Sequence, residues 1–236
     1  MPLTNRIAVI TGATGQLGPA IARVLATNGA KLALCAPNAD DLTSLALNLG
    51  FPESRVLTSP RDLMDEASAL ALADEVIAYY GHVDILIHLV GGYQSSPLLS
   101  LPTETWEYML NLNLRTAMNV MRALLPYLTA NGWGRIITLS SALADRPSAN
   151  SAAYSAAKAG LEALTLAVAQ EGKDKGLTAN VLLVKTIESA QDRAAAPAGK
   201  PTAGVTPEEV AALALFLCSD DSGSISGTRI PLYGRG

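Results

Sequence analysis

Two side chains of the 236-residue chain stand at a spacing that could move a proton: Tyr154 and Lys158, in the run Tyr154-Ser155-Ala156-Ala157-Lys158. Residues four apart share one face of a helix, so the phenol and the ammonium would lie one above the other. A free phenol has a pKa of about 10, too high for efficient proton exchange near neutrality. A neighbouring cation favours the phenolate and lowers that value. The spacing alone is also that of an ordinary surface pair, so its meaning depends on what the chain places around it.

A second chemical feature lies near the N-terminus, where an apolar run leads into Thr11-Gly12-Ala13-Thr14-Gly15-Gln16-Leu17-Gly18 ahead of a helical pattern. Glycine permits the tight strand-to-helix turn, lets backbone approach a pyrophosphate, and lets the helix pack close on the strand. The helix N-terminus then attracts the anion. This context predicts a nucleotide-binding turn. The second strand ends Cys35-Ala36-Pro37-Asn38, with neither the acid that takes ribose hydroxyls nor an Arg. Loss of the acid removes a barrier to a 2′-phosphate, so the expected cofactor is NADP or NAD, with a lean to NADP.

The elements that must position these residues follow from periodicity. Strands are predicted at Arg6–Thr11, Lys31–Ala36, Arg55–Thr58, Val83–Val90, Arg135–Ser140, Ala179–Val184 and Arg229–Leu232. Helices are predicted at Gln16–Asn28, Ala39–Leu49, Leu63–Tyr80, Thr103–Ala130, Ala153–Lys173 and Pro207–Ser219. Several strands are apolar on both faces, as in a parallel sheet covered on each side. The alternation therefore predicts an α/β fold, a Rossmann-like doubly wound parallel sheet of about seven strands. Thr103 and Thr206 read as helix caps, with Pro207, Glu208 and Glu209 strengthening the second. No repeat or linker divides residues 1–236, so one domain is expected, with 189–205 as a surface connection or substrate lid.

Composition excludes several function classes. The chain is 49% hydrophobic and 16% charged, with a formal net charge of -4 and scattered basic residues, which argues against disorder and nucleic-acid binding. No apolar run reaches the ~20 residues of a membrane helix, and the first strand begins too early to leave room for a signal peptide. The cysteines, Cys35 and Cys218, are far apart in sequence and outside any metal-binding spacing, so buried thiols are expected rather than a disulfide or a metal centre. A cytoplasmic location follows as an expectation.

The order of motifs resembles the compact single-domain branch of the short-chain dehydrogenase/reductase superfamily across essentially the whole chain. After the glycine turn comes Asp62, then Val83-Asp84-Ile85-Leu86, then Asn113 in Leu112-Asn113-Leu114, then Ser141 after Ile136-Ile137-Thr138-Leu139-Ser140, and then Tyr154 and Lys158. Asn180 and Ile225-Ser226-Gly227 also fall in place. The resemblance implies an NAD(P)-dependent interconversion of a carbonyl and an alcohol by hydride transfer. Tyr154 would be proton donor or acceptor, with Lys158 holding the nicotinamide ribose and depressing the phenol pKa. Ser141, with Ser140 as the competing choice, would orient the substrate oxygen, and Asn113 would hold a water linking Lys158 to solvent. Cofactor contacts would come from Gly12, Thr14, Gly15, Gln16, Leu17, Gly18, Asp62, Leu63, Gly91, Tyr154 and Lys158.

The chain departs from the family in places that bear on the cofactor. Gln16 stands where the compact branch has glycine, giving a TGxxGxxG spacing. The Asn-Asn-Ala-Gly motif reads His88-Leu89-Val90-Gly91, the usual Pro-Gly reads Val184-Lys185, and the last motif reads Leu232-Tyr233-Gly234-Arg235. A Thr that often meets the carboxamide aligns loosely with Ser189. His88 could be a ligand or an acid/base, but a strand-end histidine bonded to backbone is the simpler reading. These changes keep open a catalytically weak nucleotide-binding protein on the same fold, and, with no residue behind it, non-redox chemistry. Ala163, Leu166 and Ala167 supply more apolar helix surface than one sheet face covers, so a homo-oligomer, dimer or tetramer, is expected. The low charge of 189–205 and Gly92–Leu98 suggests an uncharged or moderately apolar small-molecule carbonyl substrate.

Overall fold

The computed structural model describes residues 2–188 and 204–234. The lid expected over 189–205 falls almost wholly outside these residues, as do Ser189 and Arg235.

Among the described residues, seven strands form one parallel sheet in the order β3-β2-β1-β4-β5-β6-β7. They are β1 (Ile7–Thr11), β2 (Lys31–Ala36), β3 (Val56–Pro60), β4 (Ile85–His88), β5 (Gly134–Ser141), β6 (Leu177–Val184) and β7 (Arg229–Leu232). Helices α1 (Gly18–Thr27), α2 (Ala39–Leu49), α3 (Glu66–Tyr80), α4 (Thr103–Leu110), α5 (Thr116–Leu128), α6 (Ala142–Asp145), α7 (Ala152–Glu171) and α8 (Pro207–Leu217) connect them. The order reverses between β1 and β4, where a doubly wound sheet opens a crevice at its carboxyl edge.

The pleat explains why these strands read as apolar throughout. Along β1, Ala8 and Ile10 join one core with Ile21 and Leu25 of α1, Leu42 of α2 and Val210 of α8. Ile7 and Val9 join the other, with Leu72 of α3, Val120 of α5 and Leu161 of α7. Both faces are dry along β1, so that strand takes apolar side chains from Ile7 to Ile10. Each buried Leu or Ile contributes roughly 1.5–3 kcal/mol.

Several boundaries differ from expectation for local reasons. The glycine turn takes more chain than its pattern suggests, so α1 starts at Gly18 rather than Gln16. Asp65 caps α3 by accepting from Ser68 N at 3.0 Å, which leaves Leu63 in the preceding turn. The single helix expected over Thr103–Ala130 is broken by a π turn at Asn111–Arg115. Thr103 is the first residue of α4 and not its cap; extended Pro102 takes that place with no side-chain bond. Thr206 does cap α8, in a reciprocal box with Glu209. Both thiols are buried, which pushes each up to about 12 and leaves them unreactive.

Candidate functional site

A cleft runs along the carboxyl edge of β1 and β4, as two cavities of about 340 and 290 Å³. Both are lined by Gly12, Gly15, Leu89 and Gly91, so the glycine turn is their shared wall.

Steric demands on the glycines explain the turn. Gly12 has φ +69°, and a Cβ there would come within 2.9 Å of the Leu89–Val90 peptide. At Gly18 a Cβ would lie 1.9 Å from the Ala13 carbonyl, so only glycine lets α1 pack this closely. No side chain caps α1, whose N-cap residue is Leu17. The backbone amides are thus the available anion-binding groups.

Gly91 sits where Asn113 and Lys158, two of the expected site residues, converge. A Cβ on it would be 2.7 Å from Asn113 Oδ1 and 2.9 Å from Lys158 Nζ. Asn113 is wholly buried in the π turn, donating to Gly92 O and Met109 O at 3.0 Å and accepting from Gly92 N at 3.1 Å. The widened turn thus aims one amide at the loop after β4, and π turns often mark such sites.

Tyr154 and Lys158 occupy the first two turns of α7 and line the larger cavity. Lys158 Nζ donates to Leu139 O at 2.9 Å and lies 5.9 Å from the Tyr154 ring centroid. Burial pushes the ammonium down to about 8, against the pull of the Glu162 carboxylate. The expected depression of the phenol is reversed in this fold. Burial raises Tyr154 above its ordinary value, the Ser141 hydroxyl pulls it back, and Tyr93 adds to the rise. Desolvation is therefore the largest influence on the phenol, while Lys158 Nζ is held at Leu139 O of β5. Tyr93 packs edge-on to Tyr154, with centroids 5.1 Å apart.

The two serines separate cleanly. Ser140 lines the cavity, but its hydroxyl donates to Glu162 Oε1 at 2.6 Å. Ser141 ends β5, accepts from Leu143 N at 3.2 Å and acts on Tyr154. Glu162 is buried, one turn beyond Lys158, with Arg229 Nη1 at 3.5 Å. The i+4 spacing from Lys158 is its only sequence signal.

His88 is a strut rather than an acid/base, and its partners are side chains instead of the expected backbone. Thr116 Oγ1 donates to Leu112 O at 2.7 Å, so it accepts from His88 Nε2–H at 3.3 Å. Nδ1 then accepts from the Thr11 hydroxyl at 2.8 Å. Burial, helped by the charge of Lys158, pushes the imidazole down to about 3, so the ring is neutral. It ties β1, β4 and α5 together beneath the cleft.

The smaller cavity is lined by Thr14, Cys35, Ala36, Pro37, Arg61, Asp62 and Leu63. Asp62 Oδ1 accepts from Met64 N at 3.0 Å, which shapes the turn. Arg61 is the cation of this wall; its Nη2 pairs with Glu75 at 2.9 Å and its Nε donates to Ser59. Gln16 and Leu17 line the larger cavity instead. Lys185 is exposed and lines neither cavity, while its neighbours Val184 and Ile187 line the larger one.

The cleft fits an elongated dinucleotide: glycine backbone at its centre, apolar and small residues at one end, and a phenol and ammonium at the other. Among the described residues no group of three or more His, Cys, Asp or Glu could hold a metal ion. No described helix is long and apolar enough to cross a membrane.

Comparison with known proteins agrees with this geometry. The model of the family described as short chain dehydrogenase matches residues 6–198. Acetoacetyl-CoA reductase of Allochromatium vinosum is 32% identical over 242 residues, covering 97% of each chain. D-beta-hydroxybutyrate dehydrogenase of Rhizobium meliloti is 32% identical and covers 98% of each. The crystal structure of levodione reductase superposes with a TM-score of 0.89 at 25% identity, covering 98% of this chain and 97% of the other.

Proposed function

This chain belongs to the short chain dehydrogenase family, and from that premise we propose that Tyr154, Lys158, Ser141 and Asn113 carry an NAD(P)(H)-dependent interconversion of a carbonyl and an alcohol. One observation carries the reading: the half-buried phenol of Tyr154 and the buried ammonium of Lys158 line the same cavity as the glycine turn. A bound nicotinamide dinucleotide supplies or accepts the hydride; all other steps belong to the chain. Gly12, Thr14, Gly15, Gln16, Leu17 and Gly18 would hold its phosphates, Asp62 and Leu63 its adenosine end, and Gly91, Tyr154 and Lys158 its nicotinamide end.

In the reducing direction Tyr154 gives its proton to the carbonyl oxygen as the carbon gains hydride, and the product is the alcohol. The raised phenol pKa keeps that proton in place until the oxygen becomes basic. Ser141 orients the oxygen beside Tyr154. Lys158, still largely protonated near neutrality at a pKa of about 8, stabilises the phenolate left behind. Asn113 Oδ1 and Lys158 Nζ converge over Gly91, close enough for one water to bridge them and return a proton from solvent.

The lean to NADP rests on Ala36 in place of an acid and on Arg61 in the adenosine wall. Asp40 and Asp41 in the first turn of α2 oppose it, so the preference is modest. Tyr93, Leu89 and Ile187 give the mouth of the larger cavity an apolar, aromatic lining, which suits an uncharged or moderately apolar carbonyl. Acetoacetyl-CoA and D-beta-hydroxybutyrate are the first substrates to try, since the two relatives carry those compounds in their names. The exposed Ala163 and Ala167 of α7, with Leu98, Leu99 and Tyr108 in and just before α4, support a homo-oligomer. The two free, buried cysteines suit a reducing compartment such as the cytoplasm.

Fluorescence titration with NADPH and NADH, followed by a carbonyl panel, tests the reading. Binding of at least one dinucleotide and turnover of a ketone are expected. If neither binds at about millimolar concentration, the assignment fails.

A further inference from the structure

A second cavity, of about 550 Å³, opens at the other end of the sheet, where β5 and β6 begin. It is larger than either part of the cleft. Arg135 and Lys173 are its cations, Thr178, Ser224 and Ser226 its hydroxyls and Gln170 its amide; no carboxylate lines it.

Arg135 is 3% exposed, with its guanidinium stacked 4.1 Å from the Trp133 ring centroid. Its Nη1 donates to Gly134 O at 2.9 Å and to Gly176 O at 3.4 Å, and its Nη2 to Ser219 O at 3.4 Å. It forms no salt bridge among the described residues. Asp220, the nearby acid, is spent elsewhere: its Oδ1 accepts from Trp133 Nε1 at 2.7 Å and faces Arg6 at 3.9 Å. Among the described residues, two buried side-chain atoms have no partner, Arg135 Nε and Thr178 Oγ1. Both belong to residues that line this cavity.

A buried cation held by carbonyl dipoles, one ring face and the field of Asp220, with no carboxylate bonded to it, is costly. Two cations and several hydroxyls without an acid form the donor set that recognises an oxyanion. We propose that this cavity binds a small metabolite through a phosphate or carboxylate head that meets Arg135 and Lys173. The site lies apart from the chemistry, because Arg135 and Ser141 stand six residues apart on β5, roughly 20 Å.

Trp133 lines this cavity and neither part of the cleft. The chain has two tryptophans, so Trp106→Phe leaves Trp133 as the sole tryptophan, stacked on Arg135. That protein is titrated with inorganic phosphate and, in a parallel arm, with acetate, at constant ionic strength. Saturable change in Trp133 emission with either salt is expected, and the salt that saturates at lower concentration identifies the head group. Adding Lys173→Met or Thr178→Val should raise the half-saturation concentration about tenfold, the loss of one charge-assisted bond. Lys173 is exposed and the Thr178 hydroxyl bonds nothing, so both variants should fold and keep dinucleotide binding. A response that stays linear in both salts, or saturates identically in both variants, means an adventitious ion only and overturns the proposal.

Discussion

The two ends of the cleft are built on different principles. At the end proposed to carry the chemistry, Asn113, Lys158 and Glu162 are each braced across elements. Asn113 joins the π turn to Gly92, Lys158 joins α7 to Leu139 of β5, and Glu162 joins the same helix to Ser140. At the adenosine end the wall is Cys35, Ala36 and Pro37, small or apolar, and Arg61 is turned partly to Glu75. Proton transfer requires reacting atoms held to within tenths of an ångström. An adenosine can instead be received by shape and backbone, so the residues there vary more freely. Of the altered motifs, the missing acid at Ala36 falls at the adenosine end, whereas Gln16, Leu89 and Val184 line the larger cavity with Tyr154 and Lys158.

The two ends differ less than this if the catalytic one proves tolerant. Tyr154→Phe should lower kcat by about 10²–10⁴-fold, with the dinucleotide dissociation constant unchanged in a fluorescence titration. Equal turnover would mean that another group donates the proton. Gly91→Ala should cost about a hundredfold in kcat/KM, because its Cβ would displace both Asn113 Oδ1 and Lys158 Nζ. A mild loss, seen alongside an unchanged melting temperature, would show that the bracing is slack.

Glu162→Gln probes the braced end through pH. The carboxylate opposes the burial that holds Lys158 down, so its removal lowers the ammonium pKa further below about 8. If protonated Lys158 is required, activity is lost as pH rises through that pKa, and the variant should lose it at lower pH. The low-pH plateau of kcat/KM should be retained, since glutamine keeps a partner for Ser140. An unmoved high-pH limb would assign that limb to another group. The smallest effect belongs to the other end. Arg61→Ala should weaken NADPH about fivefold relative to NADH, in line with a half-exposed ion pair, and equal losses would remove Arg61 from discrimination.

Much of this contrast is legible in the amino-acid sequence. Tyr154 with Lys158 and the glycine run identify themselves, because helical spacing and tight turns are local properties. Glu162 is equally local in spacing, yet nothing marks it as buried until β5 supplies Ser140 and β7 supplies Arg229. His88 shows as a lost asparagine, but its role needs Thr11 and Thr116, which lie 77 and 28 residues away in the chain. The break in the helix over Thr103–Ala130 is invisible in the pattern, since a π turn adds a residue without changing which side chains are apolar.

The sequence by itself determined the sheet, its two dry faces and the family, and it put forward the pair proposed to handle the proton. Those follow from periodicity and from motifs that act over a few residues. Tertiary structure alone decided the protonation balance. Burial, a property of the whole fold, raises Tyr154 and lowers Lys158, so the phenol stands above its ordinary value and not below it. It also decided that Arg135 would be buried with its Nε unbonded and no carboxylate paired to it, because a charge acquires or lacks a partner only when distant strands are brought together.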